Sequence, residues 1–120
     1  MPLIKILIED DEKDLCGLMH TIFKEEDYKI HCAFTLKDGK MKWEQELPPI
    51  VLLDNKLPDG FGIDMIEQDR SLLEHCKVIM VTATELASTR ERATALGVHY
   101  FIQKPFSLKM IREMVHQIIS

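Results

Sequence analysis

At 120 residues the chain is near the usual size of one domain, and a second module of ordinary size does not fit beside a complete first one. Hydrophobic residues at 46% and charged residues at 29% are the proportions of a folded globular protein, and every fully apolar run is short. Disordered, fibrous and membrane-spanning classes are therefore disfavoured. The net charge of −5, from 20 acids and 15 bases, is local: residues 9–14 (EDDEKD) hold five acids and one lysine and carry −4 of it. The nearly neutral remainder offers no basic stripe to neutralise a phosphate backbone, which argues against direct nucleic-acid binding. The N-terminus runs from a short apolar stretch straight into acids, unlike a secretory signal. Cys16, Cys32 and Cys76 form no Cys-x-x-Cys, and three free thiols in a reducing cytoplasm are the simplest expectation. Cys16 and His20 stand four apart on an expected helix, but no second ligand pair follows to make a metal site.

Short apolar runs alternate with helical patterns. Residues 3–8 (LIKILI) read as a buried strand. Leu15, Leu18, Met19, Ile22 and Phe23 then fall at the spacing of one helix face. Residues 28–34 (YKIHCAF) alternate as a second strand, and 36–47 read as a modest helix with Trp43 and Leu47 on one side, weakened by Gly39 and closed by Pro48 and Pro49. Residues 50–54 (IVLLD) read as a buried strand, 55–62 (NKLPDGFG) as turns, and 63–69 as a short helix. Residues 77–82 (KVIMVT) are the next strand, 85–96 a helix stopped by Gly97, and 100–103 the last strand. Ser107 is a good N-cap for a helix running to residue 119, with Leu108, Ile111, Val115 and Ile118 as its apolar stripe.

This is a (βα)5 pattern of the α/β class. Continuous apolar strands mark a parallel sheet covered on both faces, and right-handed crossovers wind it doubly. In such sheets ligands bind beyond the carboxyl ends of the strands. Asp10 and Asp11 follow the first strand, Asp54 ends the third, Thr82 ends the fourth and Lys104 follows the fifth. Each has an ordinary structural reading as cap, turn former, β-former or solvated cation. Their joint arrival at one edge is improbable by chance. Three carboxylates alone repel, and a divalent cation resolves the conflict; all-oxygen ligands suit Mg2+, or Mn2+. With an ammonium beside it, such a group favours phosphoryl transfer onto a carboxylate. The acidic turn after the first strand lacks the glycines of a phosphate cradle, so a dinucleotide or flavin site is disfavoured there.

The segments KILIEDD, VLLDNKLPDG, VIMVTA and FIQKPF, in that order, resemble the receiver domain of two-component response regulators over essentially the whole chain, read as a single receiver domain over 1–120. The resemblance implies a flavodoxin-like five-stranded parallel sheet of order 2-1-3-4-5 with five helices. It implies Asp54 as phosphoacceptor, Asp10 and Asp11 as the acidic pair that places Mg2+, and the backbone carbonyl of Lys56 as a further ligand. Thr82 corresponds to the switch hydroxyl, Lys104 to the cation that contacts the phosphoryl group, and Phe101 to the aromatic that rotates inward, reshaping the face made by the fourth helix, fifth strand and fifth helix. The Lys104–Pro105 bond is similar to one that is cis in the family. The acidic pair is set by register: an apolar residue typically follows the second acid by four, and Leu15 is four after Asp11, whereas Asp14 is four after Asp10. Glu9 then stands where the family usually has a small apolar residue, and Lys56 is a second departure. Lys56 and Thr84 flank the phosphoryl position and are expected to tune the lifetime of the phosphorylated form.

The implied donor is a sensor histidine kinase or phosphotransfer protein, and the output is a downstream protein target or an effector domain outside this chain. The chain is expected to be a cytoplasmic signalling phosphoacceptor, promoting only its own phosphorylation and dephosphorylation, rather than an enzyme acting on other substrates. One rival is a haloacid-dehalogenase-like phosphatase, but that family typically places a second Asp two residues after the first, where this chain has Lys56. A non-phosphorylated pseudo-receiver adaptor is the other.

Overall fold

A computed structural model describes residues 3–83 and 87–120. Strands β1 (Ile4–Glu9), β2 (Tyr28–Ala33), β3 (Ile50–Asp54), β4 (Lys77–Thr82) and β5 (Tyr100–Gln103) form one parallel sheet in the order β2-β1-β3-β4-β5. Helices α1 (Lys13–Phe23), α2 (Leu36–Glu46), α3 (Gly62–Gln68), α4 (Ala87–Leu96) and α5 (Leu108–Ile119) follow the strands in turn. The sequence-derived architecture and strand order are those the chain adopts.

Alternation along the strands divides the core. Ile6 and Ile8 of β1 face Leu15, Met19 and Phe23 of α1 and Ile111 and Val115 of α5. Leu7 faces the other way, into a cluster with Leu36 and Trp43 of α2, Ile63 and Ile66 of α3, and Ala93 and Leu96 of α4. Every residue of β3 is buried, as its position between β1 and β4 under two helix layers demands. Burial of each such large aliphatic chain contributes about 1.5–3 kcal/mol.

Local signals fix the helix ends. The Ser107 hydroxyl accepts the Met110 N–H at 3.2 Å and caps α5 as expected. Gly97 adopts φ +109°, and the Val98 N–H returns to the Ala93 carbonyl at 2.9 Å, closing α4. The α2 N-terminus is doubly held: Thr35 accepts from the Asp38 N–H, and both carboxylate oxygens of Asp59 accept from the Leu36 and Lys37 N–H groups.

Four expectations are corrected. Leu47 does not join Trp43 in the core; it is the left-handed C-cap of α2 at φ 47° and is 77% exposed. Leu18 faces solvent at 48% exposure rather than completing the α1 stripe. The turn segment contains a two-residue antiparallel ribbon, Lys56–Leu57 with Gly60–Phe61, and a 3-10 turn follows α3 at Arg70–Leu73. Finally, the thiols are not all free. Cys16 and Cys32 are joined as a disulfide and Cys76 remains a free cysteine. The parallel order lays α1 against β2 and brings the two Cα atoms to 6.1 Å across 16 residues. The first two residues of the expected 85–96 helix lie outside the described residues.

Candidate functional site

The parallel register ends all five strands at one edge, and the loops beyond that edge carry the site. Asp54, the last residue of β3, is 5% exposed; Asp10, one residue past β1, is 3% exposed. Asp11 beside it is exposed. Asp10, Asp11 and Asp54 each present a carboxylate oxygen, and the three oxygens lie within 4.8 Å of one another. Lys104, just past β5, donates from Nζ to Asp54 Oδ2 at 2.8 Å and lies 3.6 Å from Asp10 Oδ2 and 4.0 Å from Glu12 Oε1. The second oxygen of each buried acid is tied to backbone. Asp10 Oδ1 accepts the Glu12 N–H at 2.9 Å, and Asp54 Oδ1 accepts the Lys56 N–H at 3.1 Å. Both carboxylates are thus fixed in rotation, each with one oxygen turned toward Lys104.

Burial raises the Asp10 carboxyl above its ordinary value, opposed by the Glu12 N–H and the Lys104 charge and reinforced by Asp54. For Lys104, burial alone lowers the ammonium; the Asp54 hydrogen bond and the charges of Asp10, Asp54 and Glu12 outweigh it and hold the group above its ordinary value. Three carboxylates against one ammonium leave two formal negative charges, which suits a divalent cation. The donors are all oxygen, the preference of Mg2+ and Mn2+.

Glu9 lies on the opposite side of β1 from this cluster. It is 0% exposed, and neither carboxylate oxygen has a hydrogen-bond partner. Burial, then Asp59 and Asp38, push its carboxyl up to about 8. A Cβ on Gly39 of α2 would stand 1.8 Å from Glu9 Oε1 and 2.7 Å from its Cγ. Gly39 is therefore the space in α2 that a glutamate at this strand position needs, rather than a mere weakness in the helix.

The remaining sequence-derived residues take these places. Thr82 ends β4, half-buried, and its carbonyl accepts the Lys104 N–H at 2.8 Å, joining the β4 and β5 ends. Lys56 is exposed and its backbone N–H is committed to Asp54. Thr84 lies outside the described residues. Phe101 of β5 is partly buried against the α2–α4 cluster, and the Arg90 guanidinium of α4 stands 4.8 Å from its ring centroid. The Lys104–Pro105 peptide is cis. Beside Lys104 opens a groove of about 520 Å3 between α1 and the start of α5, lined among others by Leu15, Leu18, Pro105 and Phe106.

A family model described as the response regulator receiver domain matches residues 6–116. The chain belongs to this family. It is similar to a CheY-like receiver domain protein from Methanospirillum hungatei, at 28% identity and TM-score 0.85 over 98% of this chain and 94% of that one. The non-phosphorylated HemR receiver domain from Leptospira biflexa matches at 28% identity and TM-score 0.86, over 100% and 95% of the two chains. The beryllofluoride-activated NtrC4 receiver domain dimer matches at 27% and 0.84, over 97% and 96%. Receiver domains are signalling modules of two-component systems that work with histidine kinases and effector domains. No helix among the described residues is long and apolar enough to cross a membrane.

Sequence reasoning missed several residues that shape this candidate site. Asn55 accepts the Ile63 N–H on its side chain at 3.0 Å and the Gly62 N–H on its carbonyl at 2.8 Å, fixing the loop after Asp54. Its place directly after the strand-end acid, before a turn-rich stretch, was the available signal. Glu12, within the acidic run, reaches Lys104, and Arg90 gained its place against Phe101 only through the packing of α4 on β5.

Proposed function

We propose that residues 1–120 act as one phosphoacceptor receiver domain in which Asp54 takes a phosphoryl group from the phosphohistidine of a sensor kinase or phosphotransfer protein. The supporting observation is the convergence of Asp10, Asp11 and Asp54 with the Lys104 ammonium 2.8 Å from Asp54. An Asp54 carboxylate oxygen attacks phosphorus in line; the O–P bond forms as the N–P bond breaks, and the donor imidazole leaves with the electron pair. Lys104, paired with Asp54 at 2.8 Å, moves its hydrogen bond to a phosphoryl oxygen. Asp10, Asp11 and Asp54, with the Lys56 carbonyl, are the groups that hold Mg2+ or Mn2+, which supplies neutralisation of charge on the transferred oxygens. Hydrolysis by water returns the carboxylate and inorganic phosphate, and Lys56 and Thr84 set its rate. The chain turns over no external phosphate ester: Lys56 stands where a phosphatase of the haloacid-dehalogenase type needs its general acid.

The phosphoryl group draws the Thr82 hydroxyl inward. Phe101 then turns into the vacated space and the surface of α4, β5 and α5 changes, a shift between two populated states limited by their difference in affinity for the phosphoryl group. Phe101 has no phenolic hydroxyl, so both rotamers are read by shape alone. The signal passes to a protein target or an effector domain beyond this segment, in the cytoplasm. A relative 27% identical is described as activated by beryllofluoride, which mimics such a group.

The test is incubation with Mg2+ and acetyl phosphate or phosphoramidate, followed by intact-mass measurement. One added phosphoryl group, absent in Asp54→Ala and absent when a chelator removes the metal, is expected. No added mass under any donor makes the chain a pseudo-receiver adaptor; steady release of phosphate from small esters makes it a phosphatase.

A further inference from the structure

Cys16 and His20 occupy one face of α1, one helical turn apart, and β2 supplies Cys32 beneath them. One ligand atom from each of the three, two sulfurs and an imidazole nitrogen, lies within 4.8 Å of the others. The third ligand comes from a segment 12 residues further on than His20, which is why the spacing of Cys16 and His20 alone predicted no site. A disulfide explains the two cysteines but gives the imidazole no role.

We propose that the reduced chain binds a thiophilic divalent cation, Zn2+ by chemistry, through Cys16 Sγ, Cys32 Sγ and a ring nitrogen of His20, with solvent in the fourth position. Two sulfurs and one imidazole nitrogen are a borderline-soft donor set that selects Zn2+ over Mg2+. Two thiolates on one tetrahedral ion stand about 3.8 Å apart at ordinary Zn–S lengths of about 2.3 Å. Cα atoms 6.1 Å apart accommodate that separation by side-chain rotation, with no shift of α1 or β2. Two thiolates, a neutral imidazole and Zn2+ sum to no net charge, which fits two half-buried sulfurs, one of them packed against the apolar α1–α5 cluster. The exposed His20 gives the ion a path in from solvent. The remaining thiol, Cys76, belongs to no cluster of three His, Cys, Asp or Glu ligands among the described residues, so it offers no competing site.

The metal-bound and disulfide forms exclude one another. A dithiol reductant gives the Cys16–Cys32 bond two electrons and two protons and closes to its own disulfide. The cation then displaces both thiol protons to water, so binding tightens as pH rises. This site is separate from the acidic cluster and does not depend on the phosphoacceptor reading.

The test uses Co2+ as a spectroscopic probe on the full chain, with excess Mg2+ present to occupy the carboxylates. After reduction with a dithiol and its removal without oxygen, Co2+ should give a sulfur-to-cobalt charge-transfer band and intense visible bands of tetrahedral coordination, at one equivalent, erased by Zn2+. The oxidised chain should give neither, and serves as a folded control that needs no mutation. Cys32→Ser should abolish the charge-transfer spectrum, and His20→Ala should weaken binding at least about tenfold. A reduced chain with no such band overturns the proposal. So does a band unaltered in Cys32→Ser, or one whose affinity His20→Ala leaves unchanged.

Discussion

Glu9 is a fully buried carboxyl with no hydrogen-bond partner for either oxygen, and its cost is a function of pH. Its carboxyl titrates near 8 in the fold against an ordinary value of 4.5. Below about pH 4.5 the group is neutral in both folded and unfolded chains and exacts no penalty. Between there and about 8 the unfolded chain ionises while the folded chain stays protonated, so stability falls as pH rises and levels off above that window. Glu9→Gln removes this titration. Its stability relative to wild type should therefore rise by a few kcal/mol between about pH 5 and pH 8, read from urea unfolding at both. An unchanged difference contradicts a buried, unpaired Glu9. Gly39→Ala should cost about 1–3 kcal/mol by forcing that side chain aside, and in a Glu9→Ala background most of the cost should vanish. Equal costs in both backgrounds dismiss the pairing. The strand-end acids and Lys104 were legible because loop position after an apolar strand is a local signal. The Glu9–Gly39 pair was not, since the two meet only when α2 packs back across β1, 30 residues on.

The helices show where periodicity is a sound guide and where it stops. The α5 stripe and its Ser107 cap were both readable, because cap and stripe are adjacent in sequence. Leu18 and Leu47 fit their helical stripes by spacing, yet both face solvent, because burial depends on what lies opposite the helix. Leu18 stands on the rim of the groove beside Lys104, together with Phe106 and Pro105. On the phosphoacceptor reading we expect this rim, which also carries Glu12 and Asp14, to meet the phosphohistidine donor. Leu18→Asp should slow phosphoryl transfer from a cognate donor protein by at least about tenfold while leaving the rate from acetyl phosphate unchanged. Equal slowing with both donors places the damage in the site itself, and no slowing with either removes α1 from docking.

At the scale of the molecule, the strand order was implied by family likeness and is the order found, whereas the Cys16–Cys32 link was not foreseen, because it is a product of α1 lying over β2. The same order gathers residues from three separate βα loops at one edge, so divalent binding should stabilise the whole fold. Mg2+ at about one hundred times its dissociation constant should add about 2.7 kcal/mol, seen as a raised thermal midpoint. Asp11→Asn, exposed and outside the core, should largely erase that increment without lowering the metal-free midpoint. An increment that persists in Asp11→Asn moves the cation elsewhere. The account as a whole turns on which oxygen carries the phosphate. Borohydride cleaves an aspartyl phosphate reductively and leaves homoserine at the modified position. After treatment with Mg2+ and acetyl phosphate, peptide mass analysis should find that conversion at residue 54 alone. Conversion at residue 10 or 11, or none anywhere in a chain that has gained phosphate, contradicts it.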